Sequence, residues 1–286
     1  MRVLVATLAI GVLGACGPSN RPDNGGDDTG TPDAPTEPGS DGSGTPDVSR
    51  VYAHTAGVLY QMNAATLTTS MIGAMTGLDA SENVLDLAVD KNNNVTGITA
   101  GKFYSLSTTT GHATLLGTLT GAAQNSSSLG YVPDPSGGDD ILVSANDVGD
   151  VFKITISGTS ASAAKIGNYG KTSSNKQISS SGDIFGIATN NFGIYATVNV
   201  AGETNDYLAK IDPTNQFKAT LLPNNTGFDH IFGLGFWGGK IYGFIDNGTG
   251  GTMISIDPLT GIGTQITTGS ERWYGAGVAT TAPVIF

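Results

Sequence analysis

The sequence predicts an all-β fold built from a repeated unit of four strands, and three observations predict it. Glycine occurs 42 times and charged residues make up only 13% of the chain, so strong helix formers such as Glu, Lys and Arg are scarce. Thr, Ser, Asn, Val and Ile fill much of the remainder, which is typical of short strands joined by tight turns. After Val48 a strand pattern recurs, and no segment there shows sustained apolar spacing with a period of 3.6 residues.

The first fifteen residues have the features of an export signal. Arg2 is followed by a predominantly apolar run of ten residues, Val3 to Val12, which is shorter than the roughly 20 residues that span a bilayer. The run ends in Leu13-Gly14-Ala15-Cys16, which resembles the lipobox of bacterial lipoproteins. The resemblance implies cleavage before Cys16 and lipidation of its sulfur. A plain secretory signal, in which Cys16 has no role, is the alternative.

Residues 16–47 are expected to form a lipid-anchored, disordered linker. From Gly17 to Asp47 there is no Val, Ile, Leu or aromatic residue, and seven acids stand against the single Arg21. Such a segment buries too little apolar surface to offset the entropy of ordering. Cys16 is followed by Gly17 and not by Asp, which by the sorting rule of enterobacterial lipoproteins indicates the outer membrane. We therefore expect a cell-envelope protein, periplasmic or surface-exposed.

Residues 48–286 repeat a module of four strands. Copies begin near Val84, Leu129, Ile184 and Ile231, and their third strands fall at intervals of 44 to 56 residues. The longest interval is assigned to a polar insertion, KTSSNKQISSSGD. Ile211-Asp212-Pro213 and Ile256-Asp257-Pro258 are predicted to begin the turns between third and fourth strands, because Asp bonds the backbone two residues on and Pro presets φ.

The two ends of this region complete each other. The C-terminal WYGAGVATTAPVIF matches a first strand, whereas RVYAHTAGVLYQMNAATLTTSMIG matches only strands two to four. Pairing the ends gives five units in a closed ring, which is the pattern of a β-propeller. The pattern resembles the secreted repeat propellers of the NHL and YVTN kind. A six-bladed ring is the alternative.

The residues just before each first strand are predicted to ring one mouth of the propeller, the face where propellers usually bind ligands. These residues, called the mouth residues below, are Glu82, Asn83, Ser126, Ser127, Gly182, Asp183, Asp229, His230, Glu271 and Arg272. Aromatic side chains are predicted on the strands behind them, at Phe185, Phe232, Trp273 and Tyr274.

Three chemistries fit this set. Glycoside cleavage needs two carboxylates flanking one bond, for which Glu82, Asp183, Asp229 and Glu271 are candidates. A divalent cation such as calcium, although no cofactor is expected, could be held by Glu82, Asp183, Asp229 and His230. Binding of a ligand or partner without chemistry is the third and preferred hypothesis. For each acid taken alone, a structural role, either capping a loop or lying on a solvated rim, is a simpler interpretation than a functional one.

Two further positions stand out. Asp86 replaces the glycine of the other first strands, so we expect it to bond backbone amides across the channel; a cation in the bore is the alternative. His54 and His112 are expected to be ordinary surface or hydrogen-bonded imidazoles.

Composition and missing motifs exclude several function classes. The net charge of −11 argues against nucleic acid. Phosphate-loop and nucleophile-elbow patterns are absent from the sequence, and thiol catalysis after Cys16 is excluded because no other cysteine follows. The sequence therefore predicts a monomeric envelope lipoprotein that binds a glycan, peptide or envelope protein. An extracellular polysaccharide hydrolase or lyase is the alternative.

Overall fold

A computed structural model describes residues 49–120, 126 and 128–284. Within these ranges the chain forms strands and one short 3-10 helix at Thr189–Asn191, which confirms the predicted all-β fold. The strands are β1 (Val51–His54), β2 (Val58–Asn63), β3 (Thr68–Ala74), β4 (Asp86–Val89), β5 (Val95–Ile98), β6 (Lys102–Leu106), β7 (Ala113–Thr120), β8 (Gly130–Val132), β9 (Ile141–Ala145), β10 (Asp150–Ser157), β11 (Ser160–Asn168), β12 (Ile178–Ile187), β13 (Gly193–Val200), β14 (Tyr207–Asp212), β15 (Lys218–Asn225), β16 (Ile231–Trp237), β17 (Lys240–Asp246), β18 (Gly251–Ile256), β19 (Gly263–Gly269) and β20 (Gly275–Val278). No helix in this part of the chain has the length and apolarity to cross a membrane.

Most of the strands belong to sets of four that pair antiparallel in chain order. β12–β15 and β16–β19 each form such a sheet. β4–β7 and β8–β11 are two more sets of this kind, but β7 and β11 pair in parallel and join them into one eight-stranded sheet. The repeat in the sequence predicted the sets of four strands. It did not predict the parallel pairing of β7 with β11.

The remaining sheet joins the two ends of the described chain. Its order is β20-β1-β2-β3, and Val51 of β1 lies opposite Val278 of β20. The predicted pairing of the first and last strands is therefore confirmed. We call this sheet the closing sheet. Because β1 and β20 pair with each other, the edges along which they meet are not free to pair with another chain.

The first strand of each set contacts the first strand of the next. We call β4, β8, β12, β16 and β20 the first strands. Their contacts fall at Asp86–Leu129, Gly130–Ile184, Asp183–Leu234, Gly233–Ala276 and Gly275–Asp86. Gly130 permits one of these approaches, because a Cβ there would clash with the carbonyl oxygen of Ile184. Four-stranded sets whose first strands meet around a common axis are the arrangement of a β-propeller.

The turns between third and fourth strands have the predicted chemistry. Asp257 Oδ1 accepts the N–H groups of Leu259 and Thr260, each at 2.8 Å, and Gly261 closes the turn with φ of 83°. Asp212 Oδ1 accepts the N–H of Thr214 at 2.9 Å in the corresponding turn. These side chains satisfy backbone donors that the turn would otherwise leave without partners.

Each of these two turns also contacts the fourth strand of the preceding set. The N–H of Asn224 on β15 donates to the carbonyl of Thr260 at 3.0 Å. The N–H of Asn168 on β11 donates to the carbonyl of Gln216, also at 3.0 Å. The turns therefore cover part of the outer edges that β11 and β15 would otherwise expose.

The polar insertion predicted before Ile184 is partly strand. β12 begins at Ile178, inside that segment, and Ser179 pairs with Asn199 of β13. An irregularity in the pairing between Ser180 and Ile184 interrupts the register. Asp183 lies in this irregularity, and its side chain turns towards the axis, which determines its environment as described below.

Apolar side chains fill the space between neighbouring sheets. The largest cluster includes Val51 of the closing sheet, Phe185 of β12, and Phe236 and Phe244 of β16 and β17. The Phe185 and Phe236 rings stack with centroids 6.1 Å apart. The packing holds the first strands in place, and with them the residues that precede each first strand.

Candidate ligand-binding face

Asp229 and His230, two of the predicted mouth residues, lie together directly before β16. The carboxylate of Asp229 accepts the N–H of His230 at 2.8 Å, and its other oxygen lies 3.6 Å from His230 Nε2. His230 adopts a left-handed backbone, with φ of 56°, and its ring is 61% exposed. The imidazole is therefore accessible to a ligand and is adjacent to a carboxylate.

Arg272 is fixed by a bidentate ion pair. Its Nε and Nη2 donate to the two carboxylate oxygens of Asp246 at 2.8 and 2.7 Å. Asp246 is 7% exposed, and the Arg272 guanidinium lowers the pKa of that carboxyl below its usual value. The guanidinium carbon lies 5.7 Å from the centre of the Tyr274 ring. The pairing gives Arg272 a defined orientation and leaves part of its fork exposed.

The ion pair joins Arg272 to His230. The N–H of Asp246 is 3.3 Å from the carbonyl oxygen of His230, and the charge of His230 also lowers the pKa of Asp246. The structure thus brings Asp229, His230 and Arg272 close together. We call these residues and Asp246 the mouth cluster.

A groove of about 410 Å³ lies beside this cluster. It is lined by Thr55, Ala56, Tyr60, Ser270, Glu271, Arg272 and Tyr274. Burial and the negative charge of Glu271 raise the pKa of Tyr60, so its hydroxyl stays a hydrogen-bond donor at neutral pH. Hydroxyls, a carboxylate, a guanidinium and two phenol rings therefore line one concave surface. We call it the mouth groove.

Glu82 is not part of this group. Its carboxylate forms an ion pair with Lys102 at 2.9 Å and accepts the hydroxyl of Tyr104 at 2.7 Å. Lys102 also bonds Asp79, at 2.5 Å. Asn83, next in the chain, is exposed. Glu82 therefore belongs to an ion network on the β4–β7 set, in which its charge is compensated.

Ser126 and Gly182, mouth residues before β8 and β12, are packed within the fold. Ser126 is buried and forms an isolated bridge with Asn146, whereas Ser127 lies outside the described residues. Gly182 is pressed against β16, where a Cβ would come within 2.5 Å of Phe232 Cα. Ser126 and Gly182 therefore present no open surface comparable to the mouth groove.

Asp183, predicted at the mouth, is fully buried and contacts Asp86. The N–H groups of Ile184 and Leu234 donate to it, and its side chain is hydrogen-bonded to that of Asp86. Asp86 in turn accepts the N–H of Leu129 on the neighbouring set, at 2.6 Å. The expectation that Asp86 bonds backbone amides across the channel is confirmed. Burial raises the pKa of both carboxyls well above the usual value.

The predicted aromatic residues divide into two groups. Phe185 and Trp273 are buried in the core, and Trp273 packs edge-on against Tyr60 with ring centroids 5.2 Å apart. Phe232 and Tyr274 are half-buried, and Phe232 lies beside His230, with centroids 5.5 Å apart. Of the four predicted aromatic residues, Tyr274 therefore lines the mouth groove and Phe232 flanks His230.

The two remaining histidines differ in their environments. His112 is exposed, and its Nδ1 lies 3.0 Å from the hydroxyl of Thr76. His54 is fully buried, and desolvation lowers its pKa to about 4. Its Nδ1 lies 2.9 Å from the carbonyl of Thr55, so the neutral ring carries its proton there and leaves Nε2 as an acceptor. Among the residues that the structure describes, Nε2 has no hydrogen-bond partner.

Asp206, in the β13–β14 connection, is a buried acid beside the mouth that the sequence patterns did not identify. Its Oδ2 accepts the N–H of Ile231 at 2.9 Å. Burial raises its pKa to about 6, with a further contribution from the charge of Asp229. Asp206 precedes no first strand, so an alignment of first strands could not find it. Asp246 was missed for the same reason, since it ends a second strand.

A larger cavity, of about 550 Å³, lies away from the mouth. It lies at the other end of the first strands, between the turn after β8 and the turn after β14, and includes Pro133, Pro135, Ile187 and Pro213. Its lining is mainly apolar.

Within the described ranges, no group of three or more His, Cys, Asp or Glu side chains is arranged to hold a metal ion.

No protein-family model matches this chain, and no curated protein matches it. The solved structures to which it is similar include a symmetrical protein studied for its de novo evolutionary emergence, with 17% identity over 82% of this chain and 99% of that one, and a TM-score of 0.49. The nidogen/laminin complex is similar with 12% identity over 79% and 97%, and a TM-score of 0.47. The Dos1 propeller is similar with 12% identity over 76% and 56%, and a TM-score of 0.38. At these levels the similarity assigns neither ligand nor activity.

Proposed function

We propose that this chain is a cell-envelope lipoprotein whose domain is a five-bladed β-propeller that binds a ligand at the mouth groove without transforming it. The blade number is supported by the closed series of first-strand contacts and by the pairing of β1 with β20. The eight-stranded sheet fits this count as two blades whose outer strands, β7 and β11, pair.

The lipid anchor is a proposal from the sequence alone, because Cys16 lies outside the described residues. A lipidated Cys16 would attach the protein to a membrane. Because Gly17 and not Asp follows the cysteine, the outer membrane is the proposed location, and the acidic linker 16–47 would separate the domain from it. Acyl chains contribute about 0.8 kcal/mol per buried CH₂, so several chains anchor a protein stably.

The ligand class is inferred from the lining of the mouth groove. A sugar presents both apolar C–H faces and hydroxyls, and the groove offers phenol rings at Tyr60 and Tyr274 together with polar groups at Ser270, Glu271 and Arg272. Tyrosine suits this role because its ring is apolar and its hydroxyl is polar. The single observation that carries the proposal is this combination on one concave, accessible surface. A glycan is therefore the proposed ligand.

The state of the carboxylates disfavours catalysis. Of the four acids considered for glycoside cleavage, Asp183 is buried and Glu82 is paired with Lys102. One observation favours the hydrolase alternative: Asp206, with a pKa of about 6, lies near Asp229, and a protonated acid beside an ionised one is the pairing that glycosidases use. Asp206 is, however, 0% exposed, which prevents direct contact with a substrate in this conformation.

The test is a glycan array probed with the purified protein, with and without a chelator, followed by titration of the best binder. We expect binding that is independent of the chelator. Tyr274→Ala should weaken it roughly tenfold, because an aromatic contact contributes about 0.5–1.5 kcal/mol beyond the area it buries. Tyr207→Ala, which removes a half-buried tyrosine of β14 outside the groove, is the matched control and should bind normally.

Three outcomes would contradict the proposal. The array could retain no glycan, or Tyr274→Ala could bind as well as the parent protein. Release of new reducing ends from the bound glycan, abolished by Asp206→Asn, would favour the hydrolase alternative instead.

A further inference from the structure

Two buried carboxyl groups meet on the axis of the propeller. Asp86 of β4 and Asp183 of β12 are both 0% exposed, and their side chains are hydrogen-bonded to each other. We call them the acid pair. The proposed ligand site does not include them, and their charge at this depth needs a separate explanation.

The acid pair contacts the first strands of all the sets. Asp86 accepts the N–H groups of Leu87 on its own strand and of Leu129 directly before β8. It also packs against Gly275 of β20, where a Cβ would clash with Asp86 Oδ1. Asp183 accepts N–H groups from Ile184 on its own strand and from Leu234 on β16. The two side chains therefore connect β4, β8, β12, β16 and β20 across the axis.

Within the described ranges, neither Asp86 nor Asp183 forms an ion pair with a Lys or Arg side chain. The titratable side chains that face the pair in this part of the chain are His54 from the closing sheet and Tyr169 from the loop before β12. A Cβ on Gly275 would stand within 2.7 Å of both Asp86 Oδ1 and His54 Nε2, but the pKa of His54 is lowered to about 4, so the ring is neutral above that pH. Burial and the charge of Asp183 raise the pKa of Tyr169, so it stays neutral too.

A hydrogen bond between two carboxyl groups requires a proton, because ionised carboxylates are acceptors only. We propose that Asp86 and Asp183 share one proton at neutral pH, and that this proton holds the first strands together across the axis as a pH-sensitive lock. Its loss would leave two adjacent negative charges without water, which are strongly repulsive. Burial raises the pKa of both carboxyls, in agreement with this geometry.

The sign of the pH dependence follows from linkage. An unfolded aspartate has a pKa of about 3.9, so at pH 7 the unfolded chain has released the proton that the folded chain retains. Folding then takes up one proton, and the unfolding constant rises about tenfold for each pH unit until the folded-state pKa of the pair is passed. His54 and Asp206 do not interfere above pH 7, because their folded-state pKa values are about 4 and 6.

The experiment is urea unfolding of the purified full-length protein between pH 7 and 9. We expect the unfolding constant of the parent to rise about tenfold per pH unit. In Asp86→Asn and Asp183→Asn the slope should fall to near zero, because a neutral amide can donate to the remaining carboxylate. Asp206→Asn is the matched control, a buried aspartate that also accepts a backbone N–H, and it should keep the parental slope.

A parent protein whose stability does not change between pH 7 and 9 would overturn the proposal, and so would Asn variants that keep the slope. If the Asn variants do not fold, the slope of the parent alone decides. Saturable stabilisation by calcium at pH 8, with loss of the pH dependence, would show that a divalent cation occupies the place assigned to the proton.

Discussion

At the scale of single residues, the pairing of Asp246 with Arg272 sets the geometry of the mouth. Asp246 accepts two bonds from the guanidinium and one from the N–H of Gly248, at 2.8 Å. The sequence alignment identified Arg272 and His230 because both precede a first strand. It could not identify Asp246, which ends a second strand, nor pair Asp183 with Asp86, because the irregularity before Ile184 places Asp183 inside the fold.

Replacement of Asp246 by Ala is expected to destabilise the protein by about 1–3 kcal/mol, because it removes charged hydrogen bonds from a position that is 7% exposed. The pKa of Asp246 is lowered in the folded state, so its contribution is present at neutral pH and is lost as the pH falls below about 4. Urea unfolding at pH 7 and pH 3 measures both effects.

Asp139→Ala is the control for this change. Asp139 pairs with Lys91 at 2.6 Å, but its side chain is 89% exposed, and exposed ion pairs contribute little to stability. No measurable change is expected at either pH. Equal effects of the two substitutions would contradict the role assigned to the Asp246–Arg272 pair.

At the scale of elements, the turns between third and fourth strands connect neighbouring sets. The Asp-Pro turns could be predicted because their chemistry is local. Their contact with the fourth strand of the preceding set could not be predicted, because it depends on how neighbouring sets pack. The parallel pairing of β7 with β11 also joins two neighbouring sets and could not be predicted for the same reason. Gly261 serves both the turn itself and its contact with β15. Its φ is 83°, and a Cβ there would lie 2.6 Å from the carbonyl oxygen of Asn224 on β15.

Gly261→Ala should therefore destabilise the protein more than Gly202→Ala. Gly202 has the same φ of 83° but open space where a Cβ would stand. Both variants incur the left-handed strain of about 1–2 kcal/mol, and only the variant at Gly261 also displaces β15. Thermal and urea unfolding of the two proteins measure the difference. Equal destabilisation would show that the turn and β15 are not energetically coupled.

At the scale of the whole molecule, the fold is closed by strands from opposite ends of the domain. This closure could be predicted because WYGAGVATTAPVIF carries the pattern of a first strand without the three strands that should follow it. Asp86 could be predicted to bond backbone amides across the axis, because it replaces the glycine of the other first strands. Its pairing with Asp183 could not be predicted, because the irregularity before Ile184 places Asp183 inside the fold. β20 takes part in both arrangements: it pairs with β1, and its Gly275 packs against Asp86.

A chain that ends at Tyr274 lacks β20 and should lose the cooperativity of the domain. β1 would expose a free edge, the first strands would no longer form a closed series, and Ala276, which is fully buried, would be missing from the core. A loss of about 5 kcal/mol corresponds to a fall in Tm of roughly 10–20 °C for a domain of this size. Calorimetry and size-exclusion chromatography should show an earlier, broader transition and association through the exposed edge. A chain that ends at Val284 keeps β20 and should unfold like the parent. If the chain ending at Tyr274 keeps the parental Tm and remains monomeric, closure by β20 does not hold the propeller together.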